Sequence, residues 1–533
     1  MAHLLLAAAL AAALGLALRA GPGRPTPPLP AGRLGRRRSH AAGSRWSDAA
    51  RSRQPQVEGA RRRPPPAGRP TSRPWWWSPA ARRDPLGVGV ARWAGRRDLA
   101  LLAVAGPTPG RLTVGRAGRR LVAVDAGQSL LVVGPTQSHK TSSLAIPAIL
   151  EWQGPVVAAS VKADLARHTA AWRRRHGHVW IYDPTASSGL PADRWSPLDA
   201  VRSWPDARRV AAELVAVARA DSGSLTDADF WYATAAKLLA PLLLGAAVSG
   251  RPIADVVRWL DEQQVDEVAD ALHRAGEHAA LAAAQATWAR DDRQRSAVYT
   301  TAETVLDVFA EPAVAASART GPGAIDPAAV VSASHTLYLC APAHDQRRLR
   351  PVFAGLVTEV LRAAYDRTAA GGQPLHPPLL VVIDEAANVA PLADLDVLAS
   401  TAAGHGVQLL TIWQDLAQVT ARYGTRAGTV LNNHRAKLFL SGIADPATLE
   451  QASSLIGDAE LPVAAVTHDG HGSASTTTTP TARRLLPPDA LRRLPPGRGV
   501  LVAGHLPPVP VTLRPFFADP QLRRQAAPHQ QDR

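Results

Sequence analysis

Residues 134–143 read GPTQSHKTSS, directly after the apolar run SLLVV and overlapping the start of TSSLAIPAILEWQ, which has helical spacing. A buried strand, a tight polar loop carrying a lysine, and a helix opening on a threonine make the phosphate-binding pattern G-x-x-x-x-G-K-[ST]. Gly134, Lys140 and Thr141 are in register with it, and His139 stands where the second glycine belongs. Such a loop confines the chain to a sheet covered by helices, because backbone N–H groups at a helix N-terminus hold the phosphates. The cradle is Gly134, Pro135, Thr136, Gln137, Ser138, His139, Lys140, Thr141 and Ser142. Lys140 is expected to reach the β- and γ-phosphates of ATP, and the Thr141 hydroxyl to bind Mg²⁺. A histidine with positive φ is uncommon but allowed, at a cost of about 1–2 kcal/mol. A weakened working loop and an inactive remnant both stay open.

Composition sharpens the reading of Lys140. Only four of the 60 basic residues are lysines, namely Lys140, Lys162, Lys237 and Lys437. In an arginine-using chain, a lysine at this position points to the compact ammonium that phosphate loops use. A second motif supplies the carboxylates. PLLVVIDEAAN is an apolar strand ending in Asp384 and Glu385. An Asp there holds Mg²⁺, and the next carboxylate polarises an attacking water. The two motifs lie 244 residues apart, so a large insertion is expected between them.

Other residues exclude other chemistries. The single cysteine, Cys340, sits in the apolar run HTLYLCAP, which reads as a buried thiol and leaves no disulfide framework. There is no CxxC, and the 17 histidines are scattered. Charge is uneven: residues 1–98 carry 19 arginines against 4 acidic residues, a net of +15 out of +16 for the chain. That arm suits anionic lipid or nucleic acid.

The expected organisation follows the composition. Residues 1–20 contain LLLAAALAAALGLAL, a marginal membrane anchor or interfacial helix that is short for a bilayer. Residues 21–97 form a Pro/Arg-rich disordered tether interrupted by Trp75, Trp76 and Trp77. Candidate strands are SLLVVG, GPVVAAS, HVWIYD, HTLYLCA, PLLVVID, GVQLLTIW, AKLFLSG and RGVLVAG. Their apolar faces on both sides predict an α/β fold with a parallel sheet buried between helices. Residues 98–202 and 319–515 make the nucleotide-binding domain. Residues 203–318 lack a strand pattern and read as an all-α insertion forming a separable lobe. Residues 468–482, HDGHGSASTTTTPTA, read as a flexible loop, and 516–533 as a flexible tail.

Taken together, GPTQSHKT, SVKADL, YDPTASSG, RWSPLDAV, DFWYATAAKLL, IDEAANVAPLADLDVLASTAAGHGVQLLTIWQDLAQ and NNHRAKLFLSGIADPATLE resemble the type IV coupling proteins of conjugation systems, the TraG/TraD type. The likeness covers residues 100–515. It implies a RecA-like P-loop ATPase, a homo-hexamer at the cytoplasmic face of the inner membrane. Such a protein brings relaxase-bound DNA to the type IV secretion channel and couples ATP hydrolysis to export. It implies Lys140 and Thr141 as the Walker A pair, Asp384 and Glu385 as the Walker B pair, and Gln414 as the γ-phosphate sensor; read alone, Gln414 equally well starts a helix. Where some relatives carry an arginine, this chain has Ala403, so Arg435 is the candidate transition-state arginine. Two alternatives stand beside this reading: an FtsK-type DNA translocase, and a docking receptor that has lost hydrolysis through His139.

Overall fold

The computed structural model describes residues 90–220, 228–321, 323–342, 344–389, 392–468 and 474–527. The expected anchor, tether and Trp75–Trp77 cluster lie outside these residues. Fourteen strands are described, in chain order β1 (Ala103–Val104), β2 (Thr113–Ala117), β3 (Arg120–Ala123), β4 (Leu130–Val133), β5 (Val156–Ser160), β6 (Val179–Tyr182) and β7 (Thr336–Cys340). They continue as β8 (Leu379–Ile383), β9 (Val407–Trp413), β10 (Ala436–Leu440), β11 (Asp458–His468), β12 (Ala474–Arg484), β13 (Arg498–Ala503) and β14 (Val509–Thr512).

Twelve strands form one sheet, ordered β1-β3-β2-β14-β13-β10-β4-β9-β8-β5-β7-β6. The seven from β10 to β6 run parallel, and the remainder pair antiparallel along one edge. Every residue of β4, β5, β7, β8 and β9 is buried. Apolar side chains are needed on both faces because helices cover both. The two-residue period sorts these side chains into two cores. Leu131, Val133, Leu379, Val381 and Ile383 enter one, whereas Leu130, Val132, Leu380 and Val382 enter the other. Parallel strands place their loops at the carboxyl end of the sheet, where α/β ligand sites are built.

Between β6 and β7 the named elements are all helices. The long segments are Trp204–Ala220, Ala228–Val248 and Asp292–Leu306. Ala228–Val248 is long and apolar enough to cross a bilayer, but 67% of its most apolar stretch is buried. Leu238, Leu242, Trp259 and Val298 belong to the same core as Val133 and Val381. The insertion thus shares a core with one sheet face instead of standing as a separable lobe. The described residues fall in one compact unit.

Three further expectations are corrected. Residues 90–97 belong to the body, not to the tether: the Ala91 N–H donates to Asp458 O at 3.1 Å and the Ala94 N–H to Pro508 O at 3.0 Å. The segment read as a loop at 468–482 mostly lies in β12, which pairs with β11 from Asp458↔Arg484 to His468↔Ala474. The threonines of this run are polar but β-branched, and the partner strand decides their state. Nor does flexible tail begin at 516. Pro520–Ala526 is a helix N-capped by Asp519, and its Leu522 is fully buried.

Candidate nucleotide site

Gly134 directly follows β4, and its N–H donates to Trp413 O in β9 at 3.1 Å. A Cβ here would stand 2.8 Å from Ser138 Oγ and 3.0 Å from Leu440 Cβ, so any larger residue would have to displace its neighbours. The loop braces itself: Ser138 Oγ donates to Pro135 O at 2.7 Å. Lys140 Nζ donates to Gly134 O at 2.5 Å and Pro135 O at 2.7 Å. These carbonyls aim a nearly buried ammonium at the loop's centre. Gln137 and His139 both take φ of 64°. The sequence expectation for His139 was positive φ, and that is the conformation it holds.

The helix after the loop opens as a π-turn, Thr141–Ala145, whose closing bond runs from Ile146 N–H to Thr141 O. Pro147 accounts for this widening. Its ring crowds the carbonyl four residues back, that of Ser143, and it lacks an N–H to offer. Such π-turns recur at functional sites.

The carboxylates arrive from β8. The Asp384 N–H donates to Ala159 O at 2.9 Å, holding it to β5. Thr141 Oγ1 donates to Asp384 Oδ2 at 2.7 Å, so the two motifs, far apart in sequence, meet directly. Burial raises the Asp384 pKa, and the neighbouring Glu385 charge adds to this; Thr141, Lys140 and Ser160 act against it. Burial likewise lowers the Lys140 pKa, opposed by Asp384 and Glu385. Each ion is therefore desolvated and short of counter-charge, which suits a site that takes a polyanion and a cation together. A hydroxyl and a carboxylate side by side are a hard oxygen donor set that fits Mg²⁺. Glu385 also takes φ of 64°, and the Asn388 N–H donates to its carbonyl at 2.9 Å.

These residues line a cleft of about 530 Å³, within the range of small-molecule sites. Thr136, Gln137, Ser138, His139, Lys140, Thr141, Ser142, Asp384 and Glu385 all reach it. Gly134 and Pro135 shape the loop from beneath. Reasoning from sequence missed Ser160, Lys162, Asp164, His168 and Phe516, which also line it. SVKADL was a visible signal for the first three, but Phe516 gave none.

Gln414 and Arg435 are not among the lining residues. Gln414 follows Trp413, the residue that pairs with Gly134, and its N–H donates to Gln418 Oε1 at 3.0 Å. Arg435 precedes β10, so it lies at the amino end of the parallel strands, opposite the loop. It lines a different cavity of about 530 Å³ together with Ala403, Gln128 and Asn433. Within one chain, then, Arg435 is not part of the nucleotide cleft. Cys340 is buried, and burial pushes its thiol up to about 12. No cluster able to hold a metal through three His, Cys, Asp or Glu residues occurs among the described residues.

A sequence profile of the family described as Type IV secretory system Conjugative DNA transfer matches residues 94–532. The chain belongs to this family. It is 25% identical over 456 residues to the conjugal transfer protein TraG of Escherichia coli, covering 76% of this chain and 71% of that one. It is 24% identical over 462 residues to VirD4 of Agrobacterium fabrum (strain C58), covering 82% and 67%. Its fold matches the conjugative coupling protein TrwB lacking its first 70 residues, with a TM-score of 0.61 at 18% identity over 80% of this chain and 92% of that one. TrwB in complex with ADP and Mg²⁺ matches with a TM-score of 0.59 at 19% identity over 80% and 93%. The RecA-like architecture is thereby shown. Membership of the conjugative family also sets the FtsK-type alternative aside.

Proposed function

We propose that this conjugative-transfer family member is an ATP-driven coupling protein. It binds MgATP in the cleft between the 134–142 loop and the end of β8, and uses hydrolysis to move DNA, with its relaxase, into a type IV secretion channel. The observation that carries the reading is the Thr141–Asp384 hydrogen bond beside Lys140. It joins a phosphate loop to a metal-binding carboxylate in one buried site. The TrwB complex with ADP and Mg²⁺ supports the same ligand pair here. Bound Mg²⁺ would neutralise phosphate charge between Thr141 and Asp384. Lys140 is placed to hold the β- and γ-phosphates, and Glu385 to take a proton from the attacking water. The basic arm, at +15 over residues 1–98, suits the cytoplasmic face of the inner membrane. The family's homo-hexameric ring is part of the proposal.

Purified full-length protein should hydrolyse ATP, and faster with DNA present. Lys140→Ala should abolish turnover. Glu385→Gln should keep ATP binding and lose about 100-fold or more in turnover, as expected for removing a general base. The docking-receptor alternative rests on His139. It prevails if the unaltered protein fails to bind ATP and His139→Gly restores binding.

A further inference from the structure

We propose that Phe516 and His168 form an aromatic wall that stacks on the nucleobase of the bound nucleotide. The inference rests on the nucleotide reading of the same cleft, and adds residues that neither the loop nor the β8 carboxylates supply.

Both side chains line the cleft. Their rings touch, with centroids 4.7 Å apart and planes at 45°. The half-buried pair leaves aromatic surface facing the cavity. Position argues for the base rather than for the phosphates. The triphosphate end is fixed by Lys140, Thr141, Asp384 and Glu385. The nucleoside must leave over the first turn of the following helix, past Ser142 and Ile146. Phe516 stands at that turn, its N–H donating to Ser142 O at 2.9 Å.

The wall is also built to stay in place. Arg514, two residues earlier, is buried and pairs with Glu151 at 2.9 Å, in the helix that follows the loop. It pairs with Asp519 at 3.1 Å as well. Glu151 in turn accepts a hydrogen bond from Thr113 Oγ1. After this network comes the buried Leu522. The segment bearing Phe516 is therefore anchored to the loop's own helix on both sides of the ring. His168 is set by the helix Asp164–Arg173, which follows β5. An aromatic face stacks on any base, so the wall supplies affinity without choosing between adenine and guanine.

The test separates base from phosphate. ATP and inorganic tripolyphosphate, each with Mg²⁺, are titrated calorimetrically into the full-length protein. Phe516→Leu keeps apolar volume at the turn but removes the π face. It should weaken ATP by about 5- to 150-fold, the range of one lost stacking contact, and leave tripolyphosphate unchanged. His168→Ala should show a smaller loss of the same kind, and His168→Phe should restore it. The wall is overturned if ATP affinity is unaffected by both losses, or if ATP and tripolyphosphate weaken together, which would mark a structural role. It is also overturned, with the phosphate loop left intact, if the unaltered protein binds ATP no more tightly than tripolyphosphate. Binding of neither ligand would remove the nucleotide reading itself.

Discussion

His139, Gln137 and Glu385 hold a left-handed backbone at φ of 64°, and they are three of the five non-glycine residues that do so among those described. Strain concentrated at one cleft is what a preorganised site shows. The bracing bonds of the loop lie within the loop itself, from Ser138 and Lys140 to the carbonyls of residues 134 and 135. The strain at His139 is then a property of the fold, and His139→Gly should relieve about 1–2 kcal/mol of it. Glycine's greater backbone freedom when unfolded returns roughly 0.5–1 kcal/mol of that gain. A small rise in melting temperature, roughly 1–2 °C, is expected for a chain of this size, with ATP affinity changed by less than about threefold. Tighter ATP binding at an unchanged melting temperature would instead place the strain in the bound loop alone. A second residue, His434, makes stability depend on pH. It is fully buried, with Nδ1 donating to Val430 O at 2.8 Å and Nε2 facing Thr411 Oγ1 at 3.2 Å. Burial depresses its pKa from 6.5 to about 4. The unfolded chain then takes up a proton that the folded chain refuses. This stability is whole above pH 6.5 and is lost as pH falls toward 4, at about 1.4 kcal/mol per pH unit. Denaturant melts of His434→Gln between pH 7 and 4.5 should show a shallower pH slope than the unaltered protein; equal slopes would refute the assignment.

The C-terminal segment behaves as an element of the motor. Arg514 and Glu151 have side chains only 7% and 5% exposed, so neither can lose its partner to water. Arg514→Ala should cost about 3–5 kcal/mol, the range for stranding a buried charge, with Arg514→Lys recovering part of it. Chemical denaturation reads the loss, and a change under 1 kcal/mol would show that Glu151 finds other cover. This segment also marks where sequence stops informing structure. The eight apolar runs read as strands are all strands, because side chains buried on both faces leave a continuous signal. The phosphate loop and the Asp384–Glu385 strand end were readable because each motif is local. The antiparallel edge β1–β3 and β14 escaped notice: β2 and β3 carry Arg116 and Arg120 on exposed positions, and their pairing is set by distant neighbours. β12 was hidden in its Ser/Thr run for the same reason. Phe516 was invisible because what makes it part of the cleft is a contact with Ser142, 374 residues away in the chain. Propensity carries no record of such a contact.

At the scale of the whole molecule, we propose that a neighbouring chain completes the site. Among the described residues, the insertion adds none to the cleft. Its first helix instead ties to the helix Gln346–Gly371 through Arg209 and the buried Glu359, which also holds Arg362 at 2.7 Å. Among the described residues that line the cleft the cationic side chains are Lys140 and Lys162, with no arginine. Arg435 lies at the far end of the parallel strands beside Ala403, the position where some relatives carry an arginine. The cavity shared by these two residues lets Arg435 occupy the space that Ala403 leaves. A head-to-tail ring sets unlike surfaces of neighbouring subunits against each other. On this basis we propose that Arg435 acts on a neighbour's nucleotide and not on its own. Arg435→Ala and Lys140→Ala should each be inactive alone. Mixed in equal amounts and allowed to reassemble, they should recover roughly a quarter of full ATP turnover, the share of contacts at which an intact loop meets an intact Arg435 in a random ring. Recovery requires action across a subunit boundary. A mixture as inactive as its parents, with ring assembly confirmed by light scattering, would return the search to Lys162, the remaining lysine of the cleft.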